Sequence, residues 1–295
     1  MFRLIYTNEY GDRVAMGGEA PLFFLSQQGM DGTSAQAILS KGPFQKGKTR
    51  LGVNVDQRVV TVNGALVTES RAEFETWRAE LLRAVSPLVE GTLTVMGETI
   101  ERAFTHVQVV EAPVFDDRDY NRPDGIVYFN FSVVVPGNFA EDVRWTSFSL
   151  AEVAPMFGFP LVFETGEDDG TIIFGNMTVG RVHFYNRGDV EAPVIVEIPG
   201  PVQTPMIVNE TTGEFIRVHT PIMAHERMII NTGFGSKAVV IADNAGQKRN
   251  AFHYIDLDSA FFQLAPGENR LRFRAEAGND TATVTVRFKQ LYLGV

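Results

Sequence analysis

Short runs in which apolar and polar residues alternate dominate this sequence and constrain its fold more than any other feature. Alternation with a period of two is typical of half-buried β-strands. After residue 160, about nine such runs follow one another without a segment of helical spacing, at 171–174, 179–185, 190–198, 206–209, 214–220, 227–231, 237–242, 269–274 and 281–288. Many short strands joined by turns predict an antiparallel β-sandwich.

The last two of these runs, 269–274 and 281–288, flank the turn residues Gly278-Asn279-Asp280. Two alternating runs around such a turn predict a β-hairpin. Just before them, Pro266-Gly267 predicts a tight turn, since proline fixes φ and glycine allows a positive φ. We therefore expect a hairpin with an exposed sheet edge near the end of the sequence, and its role would be architectural.

The first half contains further strand-like runs and one helix. Asn63-Gly64 lies between β-forming runs and predicts a hairpin turn, because both residues tolerate positive φ. The segment Ser70-Arg71-Ala72-Glu73 is a capping box that predicts a helix start, and Ser86-Pro87 predicts its end. The apolar residues at helical spacing between them are Phe74, Trp77, Leu81 and Val85. We expect this apolar stripe to pack on the helix's own sheet.

The chain has 295 residues, which is longer than one typical domain. A stretch rich in proline and aromatic residues follows Pro136-Gly137, and we place the domain boundary there. We expect residues 1–140 to form a mostly β domain with one α-helix and residues 141–295 to form the antiparallel sandwich. The 23 phenylalanines also favour β structure, because aromatic side chains suit pleated, half-buried surfaces.

Charge and composition exclude several classes of function. The formal net charge is −10, which argues against an extended surface that grips phosphates, so no sequence-specific nucleic-acid partner is predicted. The chain has no cysteine and therefore neither a disulfide framework nor a thiolate site. No apolar run approaches the ~20 residues that span a bilayer, and the first residues lack the apolar core of a signal peptide. We expect synthesis in a cytoplasm and no membrane partner.

The residues that could carry chemistry do not form a recognised catalytic or metal-binding pattern. His219 and His225 are six residues apart, whereas a metal pair on a helix has a spacing of four. The segment 233–237 lacks the full spacing of a phosphate loop, and the carboxylates at 167–169 are typical of an exposed turn. We predict no enzyme activity, no cofactor and no metal.

Sugar binding is a separate alternative, because antiparallel sandwiches often carry it. Such sites usually stack a sugar ring on tryptophan, and no tryptophan follows Trp145. Other aromatic residues could substitute, although core packing explains them equally well; they are Tyr185, Phe234, Phe252 and Tyr254.

Several segments resemble the distal tail (Dit) proteins of phages with long, non-contractile tails. The segments of the second half that carry the resemblance are 186–198, 200–201, 209–214, 250–251, 256–262, 266–269 and 292–295. In the first half, Gly29-Met30-Asp31-Gly32, the predicted hairpin, the single helix and Pro87 resemble the ring-forming domain of the same family.

The resemblance implies a split β-barrel-like first domain with one helix and a galectin-like β-sandwich as the second. It implies a structural protein of a siphovirus or prophage that forms a hexameric ring at the tail tip of the virion. The implied partners are further copies of the chain, the tail tube protein, the hub or tail-associated lysin, the tape measure protein and receptor-binding proteins. The sandwich has no large insertion that could be an added carbohydrate-binding module, which argues against direct recognition of host sugars.

A ring subunit needs loops and strand edges that reach its neighbours. We expect these contacts in the loop 41–50, the polar loop 115–124 and the helix, at Lys41, Phe44, Lys46, Lys48, Phe115, Asp119, Tyr120, Arg122 and Trp77. The negative net charge would suit a channel that passes DNA without gripping it. The alternatives are a carbohydrate-binding adhesin that recognises host cell-wall polysaccharide and, third, a wall-degrading enzyme.

Overall fold

A computed structural model of the chain describes residues 2–116, 125–150, 181–278 and 283–295. It divides into two compact units. The first unit comprises Met1–Arg144 together with Leu291–Val295, and the second unit comprises Trp145–Gln290. The predicted strand at 171–174 lies outside the described residues.

The described residues of the first unit form antiparallel strands and one helix. Its elements are β1 (Arg3–Asn8), β2 (Arg13–Met16), β3 (Leu22–Gln28), β4 (Ala35–Ser40), β5 (Thr49–Val55), β6 (Arg58–Val67), α1 (Arg71–Ala84), β7 (Glu90–Met96), β8 (Glu101–Phe115), β9 (Ile126–Val135) and β10 (Ala140–Asp142).

Most of these strands form one antiparallel sheet in the order β2-β1-β7-β8-β9-β6-β3, with β10 beside β8. The edge strands β2 and β3 meet where Gly17 N donates to Leu22 O at 3.1 Å and Phe24 N donates to Gly17 O at 2.9 Å. The sheet therefore curls into a nearly closed barrel. Its interior holds aromatic and aliphatic side chains that are almost fully buried, including Phe104, Phe131 and Leu93. This agrees with the expected split β-barrel-like domain.

The predicted hairpin turn at Asn63-Gly64 is wrong. Both residues lie inside the continuous strand β6, which pairs with β9 on one side and β3 on the other. Gly64 lies opposite Phe129, and a Cβ at Gly64 would stand 2.4 Å from Cζ of that ring. Glycine is needed here because an aromatic ring occupies the space of its side chain, so the residue marks close packing and not a turn.

The helix α1 confirms the prediction from the capping box. Ser70 Oγ accepts a hydrogen bond from Glu73 N at 3.2 Å, and Glu73 Oε2 accepts one from Glu69 N at 3.0 Å. The apolar stripe packs on the unit's own core, where Phe74 and Leu81 are buried. No described helix is long and apolar enough to cross a membrane.

Tyr6 is fully buried in the first unit, and its hydroxyl has no hydrogen-bond partner among the residues that the structure describes. Burial raises the pKa of Tyr6 to about 12 from its ordinary value of 10.0. Between these two values the unfolded chain loses the proton while the folded chain keeps it, so stability falls as pH rises from about 10 to about 12. We expect Tyr6→Phe to equal or exceed wild-type stability at pH 7 and to remove this alkaline loss. Urea unfolding at pH 7 and pH 11 measures both effects, and a Tyr6→Phe protein clearly less stable at pH 7 would contradict the unpaired hydroxyl.

The described residues of the second unit form two antiparallel sheets. Its elements are β11 (Thr146–Ser149), β12 (Arg181–Asn186), β13 (Val194–Pro199), β14 (Met206–Asn209), β15 (Phe215–Arg217), β16 (Glu226–Asn231), β17 (Ala238–Asp243), β18 (Lys248–Asn250), a 3-10 turn (Phe252–Tyr254), β19 (Gly267–Arg274) and β20 (Thr285–Phe288). The sheet orders are β11-β20-β13-β16-β17-β18 and β12-β19-β14-β15.

The two sheets of the second unit pack face to face. The ring of Phe184 in β12 stacks on Phe148 of β11 at 4.1 Å and lies 5.8 Å from Phe288 of β20. Buried side chains alternate along the strands of both sheets, as in β13 and β19. The predicted antiparallel sandwich is therefore confirmed.

The predicted hairpin near the end of the sequence is wrong, although strands occur at both of its positions. The strand β19 pairs with β12 and β14, whereas β20 pairs with β11 and β13 in the other sheet. Between them, Glu276 N donates to Gln203 O and Gln203 N donates to Ala277 O, each at 3.0 Å. The chain thus crosses from one sheet to the other, and neither strand is a sheet edge. Alternation predicts a strand but does not identify its partner.

The last strand, β21 (Leu291–Tyr292), belongs to the first unit. It pairs with β10, with Tyr292 opposite Ala140. Residues 291–295 are called the closing segment below.

Candidate assembly site

Strands β4 and β5 form a two-stranded ribbon that is hydrogen-bonded to no other sheet among the described residues. Ala35 pairs with Val55 at one end and Ser40 with Thr49 at the other, with an irregularity between Ile38 and Leu39. We call residues 35–55 the arm and residues 41–48 its tip. All residues of the two strands are exposed except Gly52, which is half-buried.

The arm exposes an apolar face. Leu51, Val53 and Val55 alternate along β5 and therefore point to the same side, with exposed fractions of 68%, 43% and 42%. Ala35 and Ala37 lie opposite Val55 and Val53. At the tip, Phe44 is fully exposed and has a φ of 63°. An isolated two-stranded ribbon is marginally stable in water, and exposed apolar patches of this kind mark interaction surfaces.

The arm is also strongly basic. It carries Lys41, Lys46, Lys48 and Arg50 and no carboxylate, so its charge is +4. Because the whole chain has a charge of −10, the remainder has −10 − 4 = −14. The arm and the remainder of the chain therefore carry opposite net charges.

The structure brings together four of the residues predicted for assembly. Lys41, Phe44, Lys46 and Lys48 all lie at the exposed tip of the arm. Phe115 lies at the end of β8 and Trp77 on α1, and both pack against the core of the first unit. Asp119, Tyr120 and Arg122 are outside the described residues.

Phe115 and Trp77 each have a structural role that is visible in their contacts. The ring centre of Phe115 is 6.1 Å from that of Phe74 and 6.0 Å from that of Phe129, and the Arg78 guanidinium lies over it at 5.4 Å. Trp77 lines a surface groove with Phe2 and Glu80, so part of its ring remains accessible. These contacts attach the helix to the sheet, and a role of either residue in assembly stays a prediction.

The sequence interpretation missed the apolar residues of the arm itself. The β-forming run before Asn63-Gly64 predicts only a strand that leads into a hairpin turn, and no strand is predicted at 35–40. The available signal was a loop rich in glycine, proline and lysine between two short β-forming runs, which predicts a ribbon. That signal does not tell whether the ribbon is covered.

In the second unit, His219 and Arg217 both pair with Asp256. His219 Nε2 lies 3.0 Å from Asp256 Oδ2, and Arg217 Nη1 donates to the same oxygen at 3.2 Å. A hydrogen bond from the Asp258 backbone and the His219 side chain lower the pKa of Asp256 from its ordinary value. His219 thus has a structural partner. Within the described ranges, no three histidine, aspartate or glutamate side chains are placed to hold a metal ion.

The aromatic residues considered for sugar binding are distributed over different elements. Tyr185 lies on β12, Phe234 in the turn between β16 and β17, and Phe252 and Tyr254 in the 3-10 turn. Phe252 stacks on Phe261 at 5.6 Å, which gives it a packing role. Their positions do not favour a sugar site over a structural role.

The fold and the arm define a class of protein: a β-rich chain of two units, a nearly closed barrel and a sandwich, in which the barrel unit carries an exposed two-stranded ribbon. Residues 187–292 match the sequence model of a family described as siphovirus-type tail component, C-terminal domain. This confirms the resemblance noted in the sequence for the second unit. No curated protein matches the chain.

Solved structures extend the likeness to the whole chain. The SPP1 Dit (gp 19.1) protein, described as a paradigm of hub adsorption apparatus in Gram-positive infecting phages, is similar with a TM-score of 0.67 and 12% identity, over 99% of this chain and 100% of that one. A chain of the phage P2 baseplate in its activated conformation with Ca has a TM-score of 0.52 and 12% identity, over 98% and 97% of the two chains. At this identity the likeness establishes a shared fold for both units.

Proposed function

We propose that the chain is a structural distal tail protein of a siphovirus-type virion, which assembles into a hexameric ring at the tail tip through its arm. The family match of residues 187–292 supports a tail component. The fold shared with the SPP1 Dit protein and with a phage P2 baseplate chain supports a place at the hub or baseplate. The observation that most directly supports ring assembly is the exposed apolar face of the arm, at Leu51, Val53 and Val55.

Self-association follows from the chemistry of the arm. An apolar ribbon with a charge of +4 is best covered by an apolar surface in an acidic environment, which the rest of the chain offers with its −14. Each copy presents the same arm, and its partner surface lies elsewhere on the molecule. Such head-to-tail contacts generate a ring when the rotation closes.

The ring would be a joint between successive parts of the tail. The proposed partners are the tail tube protein on one side and the hub or lysin protein on the other, with the tape measure protein and receptor-binding proteins as further contacts. The role is mechanical and requires no catalysis.

We expect the Leu51→Thr/Val53→Thr/Val55→Thr variant to weaken assembly by at least about 100-fold. Each substitution removes apolar area from the interface, about 1 kcal/mol or more per side chain, and 1.4 kcal/mol is a factor of ten in affinity. Threonine keeps the β propensity of the ribbon, so the fold is retained. Native mass spectrometry and light scattering over a dilution series measure the assembly of both proteins, alone and with tail tube protein.

Leu88→Thr is the matched control, because Leu88 is 89% exposed on the first unit and lies outside the arm. It should assemble as the wild type does. If the triple variant forms rings at wild-type concentrations, the arm is not the ring contact. A wild-type protein that stays monomeric even with tail tube protein would contradict the ring itself.

A further inference from the structure

Among the described residues, β4 and β5 are hydrogen-bonded to no other strand, so the arm joins the barrel at its root, residues 33–34 and 56–58, and the closing segment lies at that root. Strand β4 follows Thr33 and Ser34, and β5 returns through Asp56 and Gln57 to Arg58, the first residue of β6. Because the ribbon is not part of another described sheet, its direction depends on what holds these few residues.

Arg58 is the centre of this root. It is 5% exposed and lies 5.2 Å from the centre of the Phe104 ring. Its Nη1 donates to Gly29 O at 3.0 Å and to Met30 O at 2.9 Å. Its Nη2 donates to Thr33 Oγ1, Leu293 O and Asn138 Oδ1. One buried guanidinium thus joins both ends of the arm to the closing segment, and the planar fork of arginine suits several acceptors at once.

The closing segment makes further contacts of its own with the root. Thr33 Oγ1 donates to Leu293 O at 2.9 Å, so this carbonyl accepts from both Thr33 and Arg58. Val295 N donates to Met30 O at 3.2 Å. On the other side, Arg102 Nη1 donates to Gly294 O at 2.6 Å, and its guanidinium lies 3.5 Å from the centre of the Tyr292 ring.

Gly294 fits because it has no side chain. A Cβ at this position would stand 1.5 Å from Asp31 O and 2.8 Å from Met30 O. The segment 29–32 and the closing segment are therefore in direct backbone contact, although about 260 residues separate them in the sequence. Asn138 adds a third support, because its Nδ2 donates to Asp56 O at the return of the arm.

We propose that the closing segment, Thr33 and Arg58 form a lock that sets the direction of the arm. Arg58 and Thr33 are positioning residues, because they hold the arm where a neighbouring copy can bind it. The expected effect of the lock on the ring rests on the proposed function, whereas the lock itself does not.

The test measures the direction of the arm in single molecules. The chain has no cysteine, so Lys46→Cys at the tip and Leu88→Cys on the barrel give a specific pair of dye sites. The measurement is single-molecule Förster resonance energy transfer between the two dyes, which reports the distance between the tip and the barrel. The picomolar protein concentration keeps the protein monomeric. For the wild type we expect a single narrow distribution of transfer efficiencies, which we call the narrow population.

Two matched pairs of variants separate the lock from general stability. Thr33→Val keeps the shape but loses the hydroxyl, whereas Thr33→Ser keeps the hydroxyl. Gly294→Ala places a Cβ against Asp31 O, whereas Gly32→Ala, in the contacting segment, meets nothing within 4 Å. We expect Thr33→Val and Gly294→Ala to lose the narrow population, and Thr33→Ser and Gly32→Ala to retain it.

A narrow population in both Thr33→Val and Gly294→Ala would overturn the lock, whatever the protein assembles into. The effect on the ring is a separate readout, with an expected loss of affinity of about tenfold or more, or 1.4 kcal/mol, for Thr33→Val. Unchanged assembly of a variant whose arm has lost its direction would support the lock and contradict the role of the arm in the ring.

Discussion

Replacing Gly64 by alanine is expected to destabilise the first unit by about 1–3 kcal/mol, and replacing it by valine by more, because both overfill a packed core. The added Cβ would stand 2.4 Å from Cζ of Phe129 and 2.8 Å from Phe23 O. Neither neighbour can move freely: the first is a buried ring and the second is backbone. Denaturant unfolding followed by Trp77 fluorescence, in a Trp145→Phe background, reports on the first unit alone, because the chain has only these two tryptophans.

Two further variants distinguish a strand at Gly64 from a turn. If residue 63 lies in a strand, Asn63→Val should leave the stability of the first unit nearly unchanged. If it lay in a hairpin turn with positive φ, the same substitution would destabilise the unit strongly. Phe129→Leu should reduce the cost of Gly64→Ala, because it removes the ring that causes the clash; a double-mutant cycle measures this coupling. Additive effects of the two substitutions would contradict the close contact between Gly64 and Phe129.

A disulfide between Glu197→Cys and Thr285→Cys is expected to form readily and to stabilise the second unit by about 4 kcal/mol. Glu197 on β13 lies directly opposite Thr285 on β20. Opposite residues of antiparallel strands have Cα separations that suit a disulfide. The bridge would close a loop of about 90 residues, and in the chain-entropy model long loops give the largest stabilisation. Mass analysis of thiols and unfolding with and without reductant measure both effects.

The control pair is Arg274→Cys with Thr285→Cys. A hairpin closed by the turn at 278–280 would place Arg274 close to Thr285, whereas the structure assigns their strands to different sheets. This pair should therefore remain reduced under the conditions that oxidise the first pair. Efficient oxidation of the control pair would support the predicted hairpin and contradict the crossing of the chain between the two sheets.

The candidate site was predicted in part from the sequence. Glycine, proline and lysine at 41–48 predicted an exposed loop, because glycine and proline interrupt regular structure and lysine prefers water. The sequence placed Lys41, Phe44, Lys46 and Lys48 there, and the structure places them at the tip of the arm. It did not predict the apolar face of β5, because alternating valines are equally typical of a strand that packs on a core.

The lock at the root of the arm could not be predicted from spacing. Thr33, Arg58 and Leu293 are far apart in the sequence, and an arginine at the start of a strand is usually exposed. Its burial depends on five oxygen acceptors from three separate segments, which only folding brings together. The resemblance to a family drew attention to Gly29-Met30-Asp31-Gly32 and to residues 292–295, and the structure gives the physical reason: the two segments touch.

The sequence by itself determined most of the described strands and the start of α1, because periodicity and capping are local properties of the chain. It also determined the overall charge and the absence of thiol chemistry. The tertiary structure decided which strands pair, since a period of two is the same whether the partner is the next strand or one in another sheet. It alone decided that Gly64 faces a ring, that β19 and β20 separate, and that the apolar face of the arm remains uncovered, because each of these depends on residues distant in the sequence.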